Sequence, residues 1–173
     1  MIKLPNYHRN LEVLHFNCEK PRAYYIPYAT FEGAKKGQRA KSDFFKTLCG
    51  EWSFRWYPTV YDVEDIEAYG INDEANDRID VPSSWQTYLG RGYDTPNYTN
   101  VRYPFPIDPP HIPDDIPCGL YMREFTLTDA DIADKKTYIN FEGVSSCFYL
   151  FINKQFVGYS QVSRCTSEFD ITD

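Results

Sequence analysis

Cys147-Phe148-Tyr149-Leu150-Phe151-Ile152-Asn153-Lys154-Gln155-Phe156-Val157-Gly158-Tyr159-Ser160 is the stretch whose reading decides the fold. Cys147 to Ile152 is apolar at every position. So short and unbroken a run predicts a strand covered on both faces, and therefore a central one. Asn153 and Lys154 interrupt it. Asn tolerates a positive φ, so the pair predicts a two-residue hairpin turn. Gln155 to Ser160 then returns as the partner strand.

Strand signals continue on both sides. Thr137 to Glu142 predicts a strand with Ile139 and Phe141 inward, and Leu120 to Leu127 one with Tyr121, Phe125 and Leu127 on one face. Asp129 to Asp134 reads as a polar or helical turn between them. Phe169 and Ile171 mark a last short strand. Further upstream, Trp52, Phe54 and Trp56 alternate with Ser53 and Arg55, the period-two pattern of a half-buried strand. Arg78 to Val81 predicts another. Short strands joined by turns, with little helix, indicate an all-β sandwich.

The remaining segments are punctuated. Ser42 is placed to cap a brief helix over Asp43 to Leu48 that stops at Gly50. Asp62 to Tyr69 reads as an acidic helical turn. Between Tyr103 and Gly119, Pro104, Pro106, Pro109, Pro110, Pro113 and Pro117 exclude regular sheet. Phe105, Ile107 and Ile112 are the expected anchors of this loop to a core. Residues 1–40 read as an irregular arm, with Ala23-Tyr24-Tyr25-Ile26-Pro27-Tyr28 laid along a surface. Lys35 to Lys41 is a basic patch that reads as a solvated loop.

Composition narrows the function. The chain has 173 residues, about one domain, and 17% aromatic residues, which argue for a packed core. A net charge of -7, with 18 scattered basic residues, excludes a phosphate-binding groove, so no nucleic-acid partner is expected. No apolar run reaches the length of a membrane span, and the N-terminus lacks the apolar core of a signal peptide. Five widely spaced cysteines without a CxxC read as reduced thiols in a cytoplasmic protein, with Cys147 a small core residue. His8, His15 and His111 are too dispersed for a zinc site.

Val81-Pro82-Ser83-Ser84-Trp85-Gln86 and Tyr98-Thr99-Asn100-Val101-Arg102-Tyr103-Pro104 flank the loop Gly90 to Pro96. Pro, Gly, Asp and Asn make this an ordered loop. Its Trp, Tyr, Asn and Gln suit a carbohydrate, because aromatic faces stack on sugar C–H surfaces and amides both donate to and accept from hydroxyls.

These runs resemble the N-terminal sugar-binding domain of glycoside hydrolase family 2 β-galactosidases. Gly50-Glu51-Trp52-Ser53-Phe54 is similar to the family's GEW-aromatic strand, Val81 to Gln86 to its VPSxWQ, and Tyr93 to Pro104 to its YDxPxYTNVxYP. Phe141-Glu142-Gly143-Val144-Ser145-Ser146-Cys147-Phe148 resembles F-[DE]-GV-x-S-x-F. Asn153-Lys154 and Val157-Gly158-Tyr159-Ser160-Gln161 resemble the NGxxVGYxQ hairpin, and Ser163-Arg164 with Ser167 to Ile171 the strand beyond it. The order and spacing of these blocks from Cys49 onward carry the resemblance. Lys154 replaces the usual Gly, and Val162 stands where an acidic residue is common.

The resemblance implies a jelly-roll β-sandwich of the galactose-binding type over 41–173, incomplete at its C-terminal end. In the complete enzymes this domain packs on a (β/α)8 barrel, absent here, that carries two glutamates about 5 Å apart for retaining chemistry. Magnesium, and sodium beside it, are implied for the complete enzyme, with none held by this chain. No catalytic residue is expected: Glu51, Glu142 and Glu168 fall in sandwich strands. The resemblance places Asn100 against the galactosyl hydroxyls and Val101 beside it as pocket wall. Without it, Asn100 reads as a residue satisfying loop backbone groups. Trp85 reads as a core anchor. Gln161 aligns with a peripheral metal position but, next to Val162, is assigned no metal. The expected partners are a β-galactoside through the complete enzyme, the missing barrel, and further copies in a homo-oligomer. The alternatives are a free-standing carbohydrate-binding module and a subunit-interaction domain contacting through Tyr24 and Tyr25.

Overall fold

A computed structural model describes residues 4–101, 103, 105–109 and 111–172. Regular structure is antiparallel strand. The α-helices among these residues are two short ones, α1 (Phe31–Lys36) and α2 (Asp129–Ile132), alongside several 3₁₀ turns. The strands are β1 (His15–Phe16), β2 (Gly50–Tyr57), β3 (Asp77–Val81), β4 (Cys118–Met122), β5 (Tyr138–Phe141), β6 (Cys147–Ile152), β7 (Gln155–Gln161) and β8 (Ser167–Asp170). They form sheets ordered β3-β2-β4, β1-β7-β6 and β5-β8. The expected all-β class holds.

The chain divides into two compact units built from interleaved segments. The first comprises the segment up to Leu14, Cys49–Glu124 and the hairpin tip Phe151–Phe156; the second comprises His15–Leu48, Phe125–Leu150 and residues from Val157 onward.

In the first unit β2 lies between β3 and β4, with Trp52 opposite Ile79 and Phe54 opposite Tyr121. Phe54, Ile66 and Ile79 are its buried apolar residues. The alternation in β2 suggested a solvated face, but Ser53 is as fully buried as Phe54. Its hydroxyl donates to the Ile71 carbonyl at 2.8 Å, so a polar residue is accommodated inside by a hydrogen bond. Arg55 is held on the same face by Asn76 Oδ1 (2.9 Å) and Asp73 (3.1 Å).

In the second unit β7 is central to its sheet and β6 lies outside it, a correction to the expectation for Cys147–Ile152. The two-residue β1, invisible to a pattern of period two, takes β7's other edge through His15 opposite Ser160 and Phe16 opposite Tyr159. Ile139, Leu150, Tyr159 and Phe169 are buried here, and Phe141, Phe148 and Phe169 form a ring cluster with centroids 4.6 to 6.2 Å apart. The hairpin turn is as expected: Asn153 and Lys154 have φ of 49° and 65°.

Other expectations shift. The strand read over Leu120–Leu127 begins at Cys118 and ends at Met122, leaving Phe125 exposed. No helix forms over Asp43–Leu48. Ser42 is buried and its hydroxyl bridges Pro27 O and Phe44 N, while Arg39 and Lys135 sit over the rings of Phe45 and Phe44. Two cations on different segments hold the aromatic pair in a turn. The proline-rich loop has no sheet beyond an isolated Asp108–His111 bridge. Phe105 and Ile112 are half-buried as its anchors, but Ile107 is 77% exposed. Pro104 and Pro110 lie outside the described residues. The arm over 1–40 is less irregular than expected, since it contributes β1, α1 and 3₁₀ turns at Asn6–Arg9 and Arg39–Lys41.

Candidate functional site

The segment Val81 to Val101 lies in the first unit and is built onto β2 and β3. After β3 the chain turns through a 3₁₀ turn at Trp85–Thr87, closed by Thr87 Oγ1 donating to Ser84 O at 2.7 Å. Trp85 packs on Phe54 and Tyr121, with ring centroids 6.0 and 6.4 Å away, which is the core-anchor role read from sequence. Tyr88 accepts the Asp80 amide on its hydroxyl at 2.8 Å, and its ring carries the Arg91 guanidinium 4.9 Å from the centroid. Arg91 also donates to Arg78 O at 2.8 Å. Gly90 and Gly92 both have φ of 83°, a conformation that strains residues with a side chain, and they turn the chain back.

The returning arm of the loop is fixed by Tyr93 and Asp94. Tyr93 packs edge-on to Phe54, 5.2 Å between centroids, and its hydroxyl donates to Asp77. Burial, and then this bond to a carboxylate, push its pKa up to about 12, so it stays a neutral donor. Asp94 accepts three hydrogen bonds: Trp56 Nε1 and Trp85 Nε1 on Oδ1, and Gln86 Nε2 on Oδ2. Sequence reasoning missed this residue. An aspartate between Gly and Pro reads as a turn-former, and nothing local shows that two indoles converge on it.

Beyond Asp94 the loop is open. Thr95 to Val101 are exposed and are shaped by two backbone bonds, Thr99 N to Asn97 O (3.1 Å) and Val101 N to Tyr98 O (3.3 Å). Asn100 stands on this turn, and among the described residues its side chain holds no hydrogen bond. Val101 is 78% exposed beside it. The loop therefore presents an amide with both donor and acceptor unused, next to an apolar side chain.

Two of the three glutamates set aside in the sequence have their carboxylates in structural hydrogen bonds, and the third contributes its backbone. Glu51 offers its backbone carbonyl to Arg123 at 2.8 Å. Glu142 accepts from Tyr24 and, at 2.7 Å, from Arg39; the Tyr24 hydrogen bond first, and Arg39 second, hold its pKa below the usual carboxylate range. Glu168 is gripped by Arg22 through Nε and Nη2 at 2.9 and 2.6 Å. Gln161 ends β7, half-buried. Among the described residues no three His, Cys, Asp or Glu side chains come together as a metal site, and the five cysteines form no disulfide. No described helix is long and apolar enough to cross a membrane.

Residues 45–173 match the family described as glycosyl hydrolases family 2, sugar binding domain. This chain belongs to that family. The sugar-binding domain is similar to the β-galactosidase of Actinobacillus pleuropneumoniae, 42% identical over 170 residues that cover 98% of this chain and 16% of that protein. It is likewise 42% identical over 170 residues to the β-galactosidase of Staphylococcus xylosus, covering 96% of this chain and 16% of the relative. For the β-galactosidase of Priestia megaterium the figures are 40% over 174 residues, 97% and 16%. The chain thus spans 16% of the length of these relatives. The all-β sandwich expected from the strand pattern is the fold class of this domain.

Proposed function

We propose that this domain supplies one wall of the galactoside site of a β-galactosidase that hydrolyses terminal β-galactosides with retention in carbohydrate metabolism. Asn100 hydrogen-bonds the galactosyl hydroxyls and Val101 shapes the wall. The observation that carries this is the Asn100 amide on an exposed turn, uncommitted among the described residues, which favours a ligand contact over an Asn capping its own loop. The relatives' names as β-galactosidases support the substrate class. Leu89, Tyr98, Val101 and Ile107, each at least 76% exposed, give the same unit an apolar surface suited to cover by the rest of a longer polypeptide.

The chemistry belongs to that remainder, where two carboxyl groups act as acid/base and nucleophile. The carboxylates of Glu142 and Glu168 are held by tyrosine and arginine partners, which supports a domain that binds and orients while the chemistry lies elsewhere. Magnesium and sodium find no ligand cluster among the described residues, and no step here passes through them. The complete protein is proposed to be cytoplasmic and homo-oligomeric.

One amide contact contributes about 1 kcal/mol net. Millimolar affinity needs about 4 kcal/mol. The purified 173-residue chain is therefore expected to show no heat of galactose binding in calorimetry and no release of nitrophenol from nitrophenyl β-galactoside above a boiled control. Hydrolysis by the purified chain would overturn the reading.

A further inference from the structure

We infer that Asp94 is the positioning residue that sets Asn100 for sugar recognition; the inference rests on the function proposed above. Three donors from two separate segments of the sequence meet on one carboxylate: Trp56 Nε1 from β2 at 3.1 Å, and the adjacent Trp85 Nε1 and Gln86 Nε2, the last at 3.1 Å. An indole N–H can only donate, so each tryptophan needs an acceptor. Asp94 serves both with a single oxygen and keeps the other for Gln86. All four side chains are half-buried, where a hydrogen bond to a charged acceptor is stronger than in water.

Asp94 is also the last side-chain anchor before the open turn. From Thr95 to Val101 every residue is exposed, and the hydrogen bonds that shape this stretch are local backbone ones. Pro96 follows two residues later with its φ fixed, so the direction set at Asp94 is carried into the turn with little freedom. Placement of the Asn100 amide thus depends on where the tryptophans hold Asp94. A misplacement of about 1 Å in a binding group is enough to lose much of its contribution.

The test is a double-mutant cycle in the complete enzyme, read as kcat/KM for nitrophenyl β-galactoside. Asn100→Ala and Asp94→Ala are each expected to lower it about fivefold. The double variant is expected to match Asn100→Ala alone, because Asp94 acts through Asn100. Asp94→Asn, whose amide oxygen can still accept both indoles, is expected to recover most of the loss. If Asp94→Ala does not accumulate folded, Gln86→Met takes its place in the cycle with an expected loss of about threefold, since one donor of three is removed. An Asp94 effect that persists undiminished in the Asn100→Ala background shows a purely structural role and overturns the inference alone. An Asp94→Ala variant with unchanged kcat/KM does the same. Unchanged kinetics in Asn100→Ala itself sinks the sugar-contact reading, and this inference with it.

Discussion

Gly158 shows how little room the second unit leaves at a single position. It sits in β7 with extended backbone, so its role is space and not conformation. A Cβ there would lie 2.7 Å from the Phe16 carbonyl oxygen and 2.5 Å from Phe169 Cε1. Phe169 is fully buried and a backbone oxygen cannot rotate away. Gly158→Ala is expected to cost about 3 kcal/mol, the upper range for overpacking, measured as a fall in the urea midpoint. Titratable side chains act at the same scale. Asp131 is held below the usual carboxylate range by Lys46 and Thr128, Asp170 by Thr172 and Lys136, and Glu142 by Tyr24 and Arg39. A depressed carboxylate stabilises the fold fully above its unfolded pKa, near 4, and that contribution is lost as pH falls through the lower folded value. The urea midpoint should therefore be higher at pH 7 than at pH 3. Glu142→Gln should lower the midpoint at pH 7, leave it nearly unchanged at pH 3, and so narrow the difference. A difference as wide as wild type's would contradict the assignment.

At the scale of elements, the β6–β7 hairpin was legible because its signals are local. Asn153-Lys154 lies between apolar runs and adopts the positive φ that the turn requires. Lys154 at φ 65° is strained relative to Gly, which relieves about 1 kcal/mol at such a position. Lys154→Gly should raise the melting temperature by a few degrees despite losing the Nζ bond to Glu67 O at 2.6 Å. What stayed hidden was non-local. The central place of β7, rather than β6, depends on β1, whose two residues carry no periodicity and whose partner is 145 positions away through His15 and Ser160. The failed helix over Asp43–Leu48 was lost to Arg39 and Lys135, which draw Phe45 and Phe44 to separate cations. Buried Ser53 looks polar and outward until Ile71 O is known to lie 2.8 Å from its hydroxyl.

For the molecule as a whole, the family was carried by ordered motifs, and residues 45–173 match it. The candidate site was half legible. Asn100 and Val101 could be named because their motif is contiguous, and the structure sets both on an open turn. Asp94 could not, because the indoles that give it meaning come from positions 38 and 9 residues away. On the function proposed above, this domain lends recognition to a galactoside site and the rest of a longer chain carries the chemistry. The most direct test of that function is kcat/KM for nitrophenyl β-galactoside of the complete enzyme carrying Asn100→Ala, with circular dichroism confirming the unchanged fold. The expected result is a loss of about fivefold, the worth of one amide contact made to the sugar. An Asn100→Ala enzyme that is as efficient as wild type would contradict it.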